Sequence, residues 1–148
     1  MRIAFGVIGL AGAAVGWLLF APVLSASETS VFPEDADVAW ITRAGEAVVI
    51  EEHLVPGKVT VVDFWAEWCL PCKEIDREMA VILEDSEDVA LRKIDVVDWE
   101  TPVAAQHLQR TSGLPYLLVF DKAGKRIAVV EGLDLKRLHR AIAKGQRK

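Results

Sequence analysis

The stretch Val62-Asp63-Phe64-Trp65-Ala66-Glu67-Trp68-Cys69-Leu70-Pro71-Cys72-Lys73 decides how the chain folds. Its left half completes a β-branched and aromatic run, Val59 to Trp65, that follows the turn pair Pro56-Gly57 and suits a central strand apolar on both faces. Its right half opens a segment, Cys69 to Asp85, in which Ile75, Met79, Ile82 and Leu83 recur at helical spacing. Strand, short turn and helix therefore meet at Cys69-Leu70-Pro71-Cys72, which holds both cysteines of the chain.

Three chemistries compete for such a C-x-x-C pair. A zinc site needs about four ligands, and His53, His107 and His139 each stand alone with no second ligand pair at a useful spacing. A purely structural disulfide across so short a loop stabilises by only about 2 kcal/mol in the chain-entropy relation. A redox-active dithiol fits the context better. The attacking species in thiol–disulfide exchange is a thiolate, and the start of a helix offers it free N–H groups and a favourable dipole. Cys69 is placed there, and Cys72, one turn on, is placed to resolve the mixed disulfide. Pro71 suits a first helical turn. Neither Leu70 nor Pro71 can donate a hydrogen bond or a charge to Cys69, which leans toward a reductant or exchanger.

Outward from this stretch, short strands are expected at Val38 to Thr42 and Glu46 to Ile50, with a helical turn near Glu51 to Val55. Val89 to Val97 reads as a strand and Thr101 to Gln109 as a short helix. Tyr116 to Phe120 and Lys125 to Val130 flank Asp121-Lys122-Ala123-Gly124 as a hairpin. Leu135, Leu138 and Ile142 mark a last amphipathic helix. A β-α-β half followed by a β-β-α half predicts an α/β fold, a central mixed β-sheet flanked by helices on both faces.

With 148 residues, 52% of them hydrophobic and 26% charged, the chain is neither disordered nor long enough for a second core. A net charge of −5 argues against a nucleic-acid partner. Basic residues gather late, as Lys122, Lys125, Arg126, Lys136, Arg137 and Arg140 show, and read as a solvated helix face. From Ile3 through Ala26 there is no charged side chain, and Arg2 precedes the run. Residues 1–26 are thus expected to be a signal peptide or, through residues 3–24, a membrane anchor, placing the rest in the periplasm or another extracytoplasmic space. A lipoprotein is excluded because no cysteine precedes Cys69. Residues 27–37 read as a linker and 38–148 as one domain.

The quoted stretch, together with Gly113-Leu114-Pro115 before the strand Tyr116 to Phe120 and with Lys93-Ile94-Asp95, resembles the thioredoxin family over roughly residues 46–145. Within that family the chain is similar to the periplasmic reductase domain of transmembrane thiol:disulfide interchange proteins, although those domains lack an equivalent of Pro71. The resemblance implies a thioredoxin fold and a protein thiol:disulfide oxidoreductase whose substrates are protein disulfides and dithiols. It implies no cofactor beyond the Cys69–Cys72 disulfide, no metal, a monomer, and an upstream thiol donor in the membrane. A redox-inert binding or chaperone-like module on the same fold is the alternative.

Asp63, a lone carboxylate in an apolar strand, is expected beneath Cys72 as its proton acceptor, with a pKa raised by burial. Lys93 is its expected partner, with Leu91 a competing placement two residues away. The resemblance makes Pro115 a cis proline whose loop brings the Leu114 backbone beside Cys69 to pair with substrate. Trp68 is expected as exposed contact surface, and Trp65 as core with its indole N–H on Asp95 or Asp98. Trp40 and Trp99 have no assigned role.

Overall fold

A computed structural model describes residues 30–147. Five strands, β1 (Val38–Thr42), β2 (Val59–Trp65), β3 (Val89–Asp95), β4 (Tyr116–Phe120) and β5 (Arg126–Glu131), form one sheet in the order β1-β3-β2-β4-β5. β1, β3 and β2 run parallel, while β4 is antiparallel to β2 and β5 to β4. The sheet is therefore mixed, as the order of the two halves predicts. α1 (Leu70–Glu84) is the crossover between β2 and β3, α2 (Pro102–His107) lies between β3 and β4, and α3 (Leu135–Gln146) closes the chain.

Successive strand residues point to opposite faces, and β2 sorts its side chains accordingly. Val59 and Val61 join Leu91, Leu117, Val119 and the inward residues of α1 and α3 (Ile75, Met79, Leu83, Leu138, Ile142) in one core. Val62 and Phe64 join Ile94, Val103, Ala104, Leu118 and Phe120 in the other, on the α2 side. All seven residues of β2 are buried, so this strand is the spine of the molecule. Phe32 and Ala36, ahead of β1, pack against the α1–α3 core, and the Asp37 carbonyl accepts the Leu91 N–H at 2.8 Å.

Two expectations need correction. Glu46 to Ile50 does not form a strand, although Val48 and Ile50 are buried at alternate positions as a strand would bury them. Its backbone is satisfied by α2 instead: the Val48 N–H donates to Gln106 Oε1 at 3.0 Å, and the Val48 carbonyl lies 3.2 Å from His107 Nε2. The Gly45 carbonyl accepts from Val103 N, and a Cβ at Gly45 would stand 2.6 Å from Thr101 Cγ2, so only glycine admits this close approach. A short 3-10 turn, Ile50–His53, follows.

The second correction concerns the membrane. The leader, including residues 3–24, lies outside the described residues. Among the described residues no helix is long and apolar enough to cross a membrane. The expected transmembrane anchor, the extracytoplasmic placement argued from it and the membrane-held thiol donor are withdrawn on that finding.

Candidate active site

β2 ends at Trp65, and Ala66-Glu67-Trp68 turns the chain into α1, with the Cys69 N–H donating to the Ala66 carbonyl at 2.9 Å. Cys69 is the N-cap of α1, in extended conformation, and its Sγ accepts the Cys72 N–H at 3.2 Å. Sulfur thus occupies the place that a serine or aspartate oxygen takes in an ordinary cap. Pro71 falls in the first turn, where its missing N–H costs the helix nothing, and Leu70 is 73% exposed. Cys69 and Cys72 form a disulfide with Cα atoms 5.3 Å apart. Cys72 is completely buried, whereas Cys69 keeps 3% of its surface exposed.

Trp65, Ala66 and the two cysteines form a small cluster against which Trp40 and Leu114 pack. The Leu114–Pro115 peptide bond is cis, and the Pro115 carbonyl accepts the Gly132 N–H at 2.8 Å. Leu114 thereby stands beside the disulfide, brought there by the loop that enters β4. On the other side Trp68 is half exposed and donates its indole N–H to the Val97 carbonyl at 2.7 Å. Val97 presents that carbonyl from a left-handed conformation, φ 63°, which a β-branched residue rarely adopts. Trp99 lies 6.1 Å from Trp68, ring centre to ring centre.

Beneath this surface Asp63 and Lys93 are direct partners in the parallel β2–β3 ladder, while Leu91 pairs with Val61. Lys93, not Leu91, therefore stands beside Asp63. Lys93 Nζ lies 3.3 Å from Asp63 Oδ2, with both side chains buried. Asp63 Oδ1 has no hydrogen-bond partner among the described residues. Burial pushes the Asp63 carboxyl up to about 6, against the pull of the Lys93 charge and with a further push from Asp76. Asp76, four residues after Cys72 on α1, also pairs with Lys93.

Three aromatic rings surround the ammonium: Phe32, Trp40 and Trp65, at 5.6, 5.1 and 5.2 Å from their centres. Trp40 in turn meets Trp65 edge to face at 5.4 Å. The Trp65 indole N–H, expected on Asp95 or Asp98, has no partner among the described residues. Those two carboxylates are already engaged in local turns, accepting from the Val97 and Glu100 amides at 2.8 Å. Asp76, Phe32, Val97 and Trp99 escaped the sequence reading. Only Asp76 had a legible signal, its four-residue offset from Cys72, which sets both on one helix face. Among the described residues no group of three or more His, Cys, Asp or Glu side chains could hold a metal ion.

The thioredoxin family model matches residues 47–144, which include every strand after β1, all of α1 and α2 and most of α3. The chain belongs to the thioredoxin family. Thioredoxin-2 of Saccharomyces cerevisiae is 36% identical over 104 residues, covering 70% of this chain and 96% of that protein. The crystal structure of Malassezia sympodialis thioredoxin superposes with a TM-score of 0.55 at 30% identity, covering 75% of this chain and 92% of that one. The thiol:disulfide interchange protein DsbD of Pseudoalteromonas atlantica is 33% identical over 76 residues, but these are 13% of its length. Membership of the thioredoxin family is thus the level at which the likeness holds. A thioredoxin fold carrying a Cys-x-x-Cys pair at disulfide distance is the apparatus of a thiol:disulfide oxidoreductase.

Proposed function

We propose that this thioredoxin acts as a reductant or exchanger of protein disulfides, with Cys69 as nucleophile and Cys72 as resolving thiol. The observation that carries the assignment is the unequal placement of the two sulfurs. Cys69 caps α1 and accepts the Cys72 amide, whereas Cys72 is buried one turn inside. Amide donation and the helix dipole stabilise a thiolate at the cap. The Cys69 thiolate attacks a substrate disulfide, forming a mixed disulfide and releasing one substrate thiolate. Cys72 then gives its proton to the Asp63 carboxylate and attacks Cys69 Sγ. The Cys69–Cys72 bond forms, the mixed disulfide breaks, and the second substrate thiolate leaves. Two electrons have passed from the dithiol to the substrate.

Asp63 suits the base role because its burial brings it near the pH at which it must both take and return a proton. Lys93 tempers that burial. The half-exposed Trp68 and the cis loop Leu114–Pro115, whose Leu114 packs against the cysteine cluster, would give a substrate segment its contact surface. The active-site dipeptide Leu70-Pro71 gives Cys69 no side-chain donor, and this favours a potential of roughly −200 to −280 mV, nearer a reductant than a strong oxidant.

The test is reduction of insulin with dithiothreitol as electron donor, using the domain from about residue 30 onward. Wild type should turn over. Cys69→Ser should be inactive, and Cys72→Ser should accumulate mixed disulfides on Cys69. Equal turnover by wild type and Cys69→Ser would end the proposal, and a potential above about −150 mV would reverse the direction.

A further inference from the structure

We propose that Asp76 is a positioning residue for the redox centre: by sharing the Lys93 ammonium it leaves Asp63 short of a full counter-ion and so able to accept a proton. The inference rests on the reading of Asp63 as the base for Cys72, and it adds a residue to which that reading gives no part.

The geometry is one ammonium paired with two carboxylates. Lys93 is supplied by β3, Asp63 by the neighbouring β2 and Asp76 by the helix lying over both. The two acids are not equivalent. Asp63 is wholly buried, with one oxygen 3.3 Å from Nζ and the other unpartnered among the described residues, whereas Asp76 makes the closer contact to Nζ and keeps 15% of its side chain exposed. The rings of Phe32, Trp40 and Trp65 gather round the same ammonium, their centres 5.6, 5.1 and 5.2 Å from it. These faces attract a cation without neutralising it. Lys93 is thus held in place by the cage while its charge is divided between two acids.

A buried carboxylate that owns its cation outright stays ionised and is a poor base. One that must share its cation, and that faces a second negative charge across it, takes up a proton more readily. The groups facing Asp63 bear this out element by element. β3 contributes Lys93, α1 contributes Asp76 through their shared cation, and β4 contributes the apolar Leu117. On the β1 side Arg43 lies over the Trp40 ring at 4.5 Å. Among the described residues Asp76 is therefore the negative group whose removal would hand Lys93 entirely to Asp63.

The experiment titrates the Asp63 side-chain carboxyl by carbon NMR in the oxidised protein, where no turnover is needed, in wild type, Asp76→Asn and Asp76→Glu. Asp76→Asn should move the Asp63 midpoint down by about one pH unit, and Asp76→Glu should restore it at least in part. The same shift should be smaller when Lys93 is already replaced by methionine, because the sharing is then gone. An unmoved midpoint in a folded Asp76→Asn protein overturns the inference, and so does an equal shift with and without Lys93. Release of mixed disulfide, followed against pH in the same proteins, separates this from the parent reading. If the midpoint moves in the titration while wild type and Asp63→Asn release substrate with superimposable pH profiles, Asp63 is not the base and the division of charge still stands.

Discussion

The two faces of β2 are built from the same seven residues yet do different work. Toward α2 the strand presents Val62 and Phe64, packed among Ile94, Val103, Leu118 and Phe120, with Arg92 beside Val62 in register and bonded to the His53 carbonyl and the Asp37 carboxylate. Toward α1 it begins in the same way, with Val59 and Val61, but continues into the buried Asp63 and into Trp65, which packs with the cysteines. Along β2 itself the α2 face stays apolar from Val62 to Phe64. The other surrenders part of its core, near the end where β2 delivers the chain to α1, to a buried carboxylate and its shared cation. Stability and chemistry are thus separated across the thickness of a single strand, and rigidity on the plain face holds the polar face in register.

The sharpest way to break this contrast is Phe64→Ala. The ring is fully buried and touches His107 and Tyr116, each with centres 5.6 Å away, so its loss should cost about 3–5 kcal/mol in denaturant unfolding. Per folded molecule, insulin reduction should stay close to wild type. A collapse of turnover in the folded fraction would show that the two faces are not separable.

Asp63→Asn should act in the opposite sense. The wild-type carboxyl, raised from 3.8 to about 6 on folding, binds a proton more tightly in the native state than in the unfolded one. It therefore contributes nothing below about pH 4 and subtracts stability progressively as pH rises to about 6, by up to about 3 kcal/mol. The asparagine protein should accordingly be more stable than wild type by about 1–3 kcal/mol at pH 7, with the gap closing toward pH 4. Lys93 keeps Asp76 as a partner in this variant, so no cation is orphaned. Release of mixed disulfide should nevertheless slow at pH 7 by about 100-fold, and the difference should shrink at high pH, where solvent deprotonates Cys72 unaided. A variant less stable than wild type at pH 7 would show that the ion pair outweighs desolvation.

The plain and polar faces were not equally legible in the sequence. The continuous β-branched and aromatic run from Val59 to Trp65, bounded by turn residues, identified the strand, and the oddity of Asp63 in it was visible without any structure. The choice between Lys93 and Leu91 was not, because residues two apart on a strand share a face and only the pairing register separates them. Glu46 to Ile50 misled for a related reason. Its burial alternates like a strand, but its backbone partners are the Gln106 and His107 side chains, nearly sixty residues away. The aromatic cage needed three segments, ahead of β1, on β1 and on β2, to converge on one ammonium, and no local pattern announces such a meeting.

The smallest effect is expected at the rim. Val97 holds φ at 63° to present its carbonyl to Trp68, and Val97→Gly should relieve the backbone while keeping that carbonyl. The expected gain is about 1 kcal/mol or less, since glycine's greater unfolded freedom offsets part of the relief. A loss of more than about 1 kcal/mol would mean that the half-exposed valine side chain, not its backbone, is what matters here.

The sulfur cap of α1 carries a consequence for how the protein could report on itself. In the disulfide form the Cys72 amide is shared between the Cys69 carbonyl and a neutral, weakly accepting sulfur, each at 3.2 Å. In the dithiol form the same amide faces an anion, a far stronger acceptor. Its solvent exchange should therefore slow on reduction, while amides in the middle of α1 exchange unchanged. One backbone hydrogen would then serve as a gauge of how many electrons the molecule holds, readable without labels and without a substrate present.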